Sequence, residues 1–316
     1  MTTRPIIALF IVSLTLCPSL LAAQNGAFEI NQVCVEAGCF PGDSPGFPVD
    51  ITVSGVYNLT SNLNLPSPED TAIRILEDDV VLDLKSFTID AGNRCTGAQG
   101  DCSNQSSAGV GVGSDRTNVS VRNGVIKGFG WKGVNLGGAF ANIDSIQAQH
   151  NFRAGIGVND GATVRDSSAS SGGQLGIEAG ASRLLRVTAI NNGQFAIAAT
   201  GAHIDEALVL DNEGIGLFVS RSLISNSVVA RNGTGIWSTA GGNRIFDSQI
   251  SENEGLGIFL QPAIPPGLPS GETLTNSFSG LSLYENNGGN DNPQIGGSGG
   301  LWESLGQNLC ARDTTC

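Results

Sequence analysis

Lysine is almost missing from this 316-residue sequence, with only Lys85, Lys127 and Lys132 present; methionine occurs once and histidine twice. Charged residues make up 14%, against roughly 25% in an average globular protein. These shortages exclude several classes. A helical bundle is excluded by the lack of Lys and Met together with 44 Gly, each of which costs a helix interior about 1 kcal/mol relative to Ala. A nucleic-acid partner is excluded too, because phosphates attract clustered Lys and Arg, and here 29 acidic residues face 16 basic ones. Gly follows no three-residue period, so collagen is out. The 40% apolar content is too high for disorder driven by composition. That leaves a turn-rich β protein punctuated by Gly and Asn.

Residues 1–23 read as a secretion signal. A short basic start containing Arg4 leads into an apolar run from Ile6 to Leu16 and ends at Ala22-Ala23. The run is short for a transmembrane helix, so no membrane span is expected after processing, and the mature chain is expected to be secreted or periplasmic. The cysteines agree. Cys17 leaves with the signal, and the other six are close pairs in sequence: Cys34/Cys39, Cys95/Cys102 and Cys310/Cys316. An even number in an exported chain reads as disulfides, local pairing being one of 15 connectivities. Zinc is the alternative, but no His lies within five residues of any of them.

An internal repeat dominates the rest. A small residue followed by an aliphatic one recurs at Val134, Ile156, Ile177, Ile197, Leu217, Ile236 and Ile258, spaced by 19–22 residues. A second apolar column runs through Val121, Ile143, Val164, Leu185, Ile204, Ile224 and Ile245. Five residues beyond each lies a third: Ile126, Ala148, Ala169, Ile190, Val209, Val229 and Ile250. Next come Asn151, Gly172, Gly193, Asn212, Asn232 and Asn253, the residue types that most readily adopt the left-handed (αL) conformation of a fixed turn. Leu84 with Ile89 and Phe278 with Leu283 extend the register outward. Short alternating strands at this period cannot bury their apolar face alone, and stacked they form a solenoid. The expected fold is all-β, a single-stranded right-handed parallel β-helix of about nine coils, roughly 40 Å long at ~4.8 Å per coil. The organisation is an N-terminal cap over 24–60, the β-helix over 61–290 and a tail over 291–316.

The segments 55–60 (GVYNLT), 79–84 (DVVLDL) and 117–126 (TNVSVRNGVI), with the Gly-Ile repeats, resemble the bacterial right-handed parallel β-helix repeat proteins of the pectin-lyase-like superfamily. The resemblance covers roughly residues 52–290. It implies the fold and a polysaccharide or cell-surface glycan as partner, the superfamily holding lyases, glycoside hydrolases, uronate epimerases and members without known activity. The Asp-Pro-His-[Glu/Asp] of alginate epimerases is absent from the sequence. So are the Gly-His-Gly and Arg-Ile-Lys of polygalacturonases and the Arg-x-Pro-x-x-Arg of pectate lyases.

Strand alternation assigns the outward residues. After the first column they are Asn135, Gly157, Glu178, Ala198, Phe218, Trp237 and Phe259, so three successive coils present an aromatic. Such a stripe can stack on sugar faces; alternatively the Pro-rich segment 261–272 folds over it. After the second column they are Arg122, Asp144, Arg165, Arg186, Asp205, Ser225 and Phe246. Arg pairs bidentately with uronate carboxylates; as a plain charge ladder each cross-strand pair is worth ~0.2–1 kcal/mol. The next column, Asn123, Ser145, Asp166, Glu206, Asn226 and Asp247, reads as a polar turn, where calcium is conceivable because hard cations want several oxygens; no other metal or cofactor is expected.

Two functions fit these columns. In the first, the protein is a non-catalytic carbohydrate-binding or surface-interaction protein using Phe218, Trp237 and Phe259. In the second, it is a polysaccharide lyase or uronate epimerase. There Arg165 and Arg186 hold an acidic sugar, and Asp144, Asp205 or His203 moves the proton beside its carboxylate.

Overall fold

A computed structural model describes residues 26–97, 101–239, 241–261, 275–289, 292–297, 302–306 and 308–310. The expected signal over 1–23, nearly all of the Pro-rich segment and Cys316 lie outside the described residues. The chain winds into a parallel β-solenoid. Most coils give one strand to an 11-stranded sheet and two to a 21-stranded sheet, the two being one continuous strand at Ser120–Lys127 and at Asn142–Gln149. In one coil these strands are Ala154–Val158, Thr163–Arg165 and Ser168–Ser170, after which Leu175–Ala179 begins the next.

The fold class is as the repeat predicts, but the 11-stranded sheet counts eleven coils rather than nine. The additional ones are at the ends. Val49–Ile51 stacks on Ile73–Ile75, and Ile258–Gln261 on Ile295–Gly297. Stacking therefore starts inside the segment expected to be a cap: Ala27–Ile30 pairs with Gly55–Leu59 in parallel register. The end strands Val49–Ile51 and Ile295–Gly297 lack the Gly-Ile signature, which is why spacing alone passes over them.

The core is three columns of aliphatic side chains, most of them fully buried, each worth about 1.5–3 kcal/mol of transfer free energy. Two non-glycine αL residues bend most of the central coils between their strands. One set is Asn123, Ser145, Asp166, Arg186, Glu206, Asn226 and Asp247; the other is His150, Ser171, Asn191, Asp211, Arg231 and Glu252. Each such residue costs on the order of 1–3 kcal/mol, tolerated because the parallel pairing on both sides over-determines the bend.

Three register expectations are corrected. Leu184, not Leu185, pairs with Val164 and Ile204, so Ala189 replaces Ile190 in the third column. The expected offset of five is satisfied by either pair, and Leu184-Leu185 are both apolar, so periodicity cannot choose between them. Near the N-terminus Leu82, not Leu84, pairs with Val121; Lys85 and Ser86, both at positive φ, lengthen that corner by two residues.

The third correction concerns the Asn column. The αL residue is the one before it, and the asparagines are buried in a hydrogen-bonded amide ladder that Asn192, not Gly193, enters. Each Nδ2 donates to the Oδ1 one coil on, at 3.0 Å from Asn192 to Asn212, 2.7 Å from Asn212 to Asn232, 3.0 Å from Asn232 to Asn253 and 2.7 Å from Asn253 to Asn286. Gln294 ends the ladder by accepting from Asn286 at 2.9 Å. The same Oδ1 atoms accept backbone N–H groups, as Asn232 does from Asn212 at 3.1 Å. Buried polar groups require such partners. The Gly of the Gly-Ile pair is needed here: a Cβ on Gly235 would collide with the Gly257 carbonyl oxygen and meet the Asn253 amide nitrogen at 2.9 Å.

Candidate glycan-binding face

The outer face of the 11-stranded sheet carries the aromatic stripe. Strand register places Glu178, Ala198, Phe218, Trp237 and Phe259 on successive coils. Phe218 and Trp237 have ring centroids 6.2 Å apart and Trp237 and Phe259 4.7 Å apart, both edge-to-face. A fourth ring, Phe195, lies 5.0 Å from Phe218. Simple alternation misses Phe195. The small residue before the core aliphatic, here Ala196, is buried beside the aliphatic itself, and the residue ahead of it turns outward. The rings are half-buried, and Phe195, Phe218 and Trp237 flank a groove of about 550 Å³ bordered by Gln194 and Glu213. The Trp237 indole N–H donates to Gln261 Oε1 at 2.9 Å.

Upstream on the same face is a second groove, of about 420 Å³, lined by Trp131, Lys132, Phe152, Arg153, Gln174 and Glu178, with residues 105–107 as one wall. Backbone hydrogen bonds from Leu175 N–H to Arg153 O, from Gln194 N–H to Gln174 O and from Ile215 N–H to Gln194 O step from coil to coil, so the two grooves follow one another along the same sheet. Lys132 Nζ is 2.9 Å from Glu178 Oε2, bonds Asn135 Oδ1 at 3.1 Å and lies over the Trp131 ring. Arg153 donates to Gln174 at 3.1 Å. The wall belongs to the insertion that carries the Cys95–Cys102 disulfide. His150 Nδ1 hydrogen-bonds the Cys95 carbonyl at 2.7 Å, and Asn191 donates to the Thr96 carbonyl at 2.9 Å, laying the insertion across several coils.

Arg165, Arg186, Asp144, Asp205 and His203 are on the other sheet and its corners and are not brought to the aromatics. Arg165 Nη2 donates to Asp144 at 2.5 Å. Arg186 is not in the outward column beside Arg165; the register shift puts Leu185 there and Arg186 at an αL corner. Its guanidinium binds Asp166 bidentately at 2.6 and 2.9 Å, and Arg231 binds Asp211 likewise on another corner. The Asn226 amide and Ser225 hydroxyl, at 2.9 and 2.8 Å, hold the Asp205 carboxyl below the usual carboxylate range, with His203 and Arg183 adding to this. His203 lies between Arg183 and Leu223 in register. Arg186 lowers Asp166 in the same sense.

The polar column considered for calcium forms αL corners, and among the described residues no three His, Cys, Asp or Glu side chains cluster as metal ligands. Cys34–Cys39 and Cys95–Cys102 are disulfides as expected, and Cys310 is also disulfide-bonded. No helix among the described residues is long and apolar enough to cross a membrane.

No protein-family model and no curated protein sequence matches the chain. Solved structures do resemble it. The A-module of the Azotobacter vinelandii mannuronan C-5 epimerase AlgE4 aligns with a TM-score of 0.60 at 13% identity, over 90% of this chain and 85% of that one. The AlgE6 A-module of the same organism gives 0.56 at 15%, over 90% and 80%. The periplasmic alginate epimerase AlgG gives 0.56 at 12%, over 89% and 83%. At such identity the likeness establishes the fold alone: the chain is a parallel β-helix.

Proposed function

We propose that this protein binds a polysaccharide along the outer face of its 11-stranded sheet and does so without turnover. The observation that carries this is the contact series Phe195–Phe218–Trp237–Phe259, presented on an outer sheet face. Aromatic rings offer sugars a large, rigid apolar surface at small entropic cost. The amides of Gln194 and Gln261 beside them supply the hydrogen bonds that hydroxyl groups require. A solenoid repeats these contacts along its axis, as a linear polymer repeats its units. The polysaccharide-active proteins of the same fold are compatible with this partner.

Binding is favoured over turnover because the groups needed for lyase or epimerase chemistry are engaged with one another. Arg165 is closed by Asp144, Arg186 by Asp166, and the Asp205 carboxylate is stabilised in its ionised form, which weakens it as a base. In the same reading residues 1–23 direct export, and the disulfides form in an oxidising compartment outside the cytoplasm.

Retardation in polysaccharide-containing native gels tests the proposal. The wild-type chain is retarded, and Trp237→Ala weakens retardation about tenfold, equivalent to about 1.4 kcal/mol. Incubation with alginate or pectate yields neither an unsaturated product absorbing in the ultraviolet nor an altered uronate composition by NMR. Either product would replace the binding reading by the enzymatic one.

A further inference from the structure

We infer that the glycan taken by this face is a neutral polysaccharide, recognised through ring stacking and amide contacts rather than through charge. The inference rests on the reading of the face as a glycan platform and adds the chemical class of its ligand. Three observations carry it.

First, the groove flanked by the aromatic stripe is lined by no Lys or Arg among the described residues, and the ionisable side chain at its edge is the acidic Glu213. Second, both cations of the upstream groove already have partners within it. Lys132 is only 12% exposed and is directed onto Glu178, while Arg153 is hydrogen-bonded to Gln174. Across both grooves two cations stand against the two carboxylates Glu178 and Glu213. Third, Arg165, Arg186 and Arg231, on the other sheet and its corners, are each closed by an aspartate of a neighbouring coil. The chain as a whole carries a formal charge of -13. A polyuronate lying along the stripe would bring carboxylates toward Glu213, on a chain whose overall charge is negative and repels a polyanion. Its charges would be stripped of water with no cation in the stripe groove to receive them. A neutral polymer meets neither cost. The amides Gln174, Gln194 and Gln261, which both donate and accept, match hydroxyl groups better than they match carboxylates.

The test is gel retardation and titration calorimetry of the whole mature chain against laminarin, xyloglucan and galactomannan, and against pectate, alginate and hyaluronan, each at low and high salt. Retardation by at least one neutral polymer, unchanged by salt and lost in Trp237→Ala with Phe218→Ala, supports the inference, provided that the variant keeps the β-sheet circular dichroism of the wild type. An acidic polymer that binds as tightly as or more tightly than any neutral one overturns the inference while leaving the platform itself standing. No binding to any of the six, or binding that survives both substitutions, overturns the platform reading and the inference together. Should the double variant misfold, Trp237→Phe serves in its place: its loss of indole area and of the bond to Gln261 weakens binding to the neutral polymer several-fold, and unchanged binding counts against the stripe.

Discussion

The two outer surfaces of the solenoid are built by the same stacking rule and end in opposite chemical states. On the 21-stranded sheet and its corners, side chains one coil apart satisfy one another: Asp144 with Arg165, Asp166 with Arg186, Asp211 with Arg231, Asp205 with Ser225 and Asn226. On the stretch of the 11-stranded sheet from Phe195 to Phe259, the neighbours in contact along the stack are rings, which touch but stay half-buried with part of their outer surfaces open. A ladder of complementary groups consumes its own binding capacity. A ladder of like, apolar groups accumulates it. That difference, rather than the number of charged residues, decides which surface can take a ligand.

The internal amide ladder is the extreme of the self-satisfied kind, and breaking it has the largest expected effect. Asn232 donates from Nδ2 to Val209 O, Ala230 O and Asn253 Oδ1, and accepts from the backbone and side chain of Asn212. Asn232→Ala leaves the buried Asn212 N–H without its acceptor, at about 1–3 kcal/mol per orphaned group. A loss of about 3 kcal/mol is therefore expected in urea unfolding, with glycan retardation of the folded fraction unchanged. A loss below about 0.5 kcal/mol, the scale of ordinary surface changes, would show that the ladder contributes nothing to stability.

Next is Asp83, where the outer ladder reaches into the interior. It is 2% exposed, accepts from the Lys85 N–H at 3.0 Å, the Asn123 amide at 3.1 Å and Arg122 Nε at 3.1 Å, and pairs with the Lys85 ammonium. Burial pushes its carboxyl upward, but the hydrogen bonds from Lys85 and Asn123 and the Lys85 charge outweigh this and leave it below the ordinary range. A carboxyl lowered in the folded state contributes stability above its unfolded value, near ~3.9, and loses it as pH falls through the lower folded value. Asp83→Asn is expected to cost about 2 kcal/mol at neutral pH, the scale of a lost charge-assisted hydrogen bond. The same substitution flattens the fall of stability below about pH 4, measured by thermal unfolding across pH. A variant with the wild-type acid dependence would locate that sensitivity in other carboxylates.

How much of this is legible in the sequence depends on how unambiguous each local pattern is. Ile143, Val164, Ile204 and Ile224 share one column because aliphatic residues recur at one period among polar neighbours, and that recurrence defines the fold. Phe218, Trp237 and Phe259 are legible at once, since each succeeds an inward aliphatic. Phe195 is not, because the inward small residue ahead of the aliphatic breaks simple alternation. Asparagines at a turn read as αL formers because that is a common role for them. The structure gives αL to Asn191, Asp211 and Arg231 and sends Asn192, Asn212 and Asn232 inside, where amides can both donate and accept along the stack. The end coils are silent because Val49–Ile51 and Ile295–Gly297 lack the Gly-Ile pair that marks most of the others.

The smallest expected effect belongs to Arg186, and it separates the two surfaces most sharply. Sequence spacing puts Arg186 beside Arg165 as half of a uronate clamp; the one-residue shift at Leu184 moves it to a corner, where Asp166 binds two of its guanidinium nitrogens. The pair is exposed, 47% at the arginine and 39% at the aspartate, so solvent screening limits its contribution. Arg186→Ala should then leave polysaccharide retardation at the wild-type level and leave urea unfolding nearly unchanged, as is ordinary for exposed pairs. Both directions carry information. A marked loss of glycan binding would mean that the corner ladder opens to ligand and that the two faces do not divide as their ladders imply. Unchanged binding, set against the roughly tenfold loss expected in Trp237→Ala, places recognition on the rings and not on the charged corners.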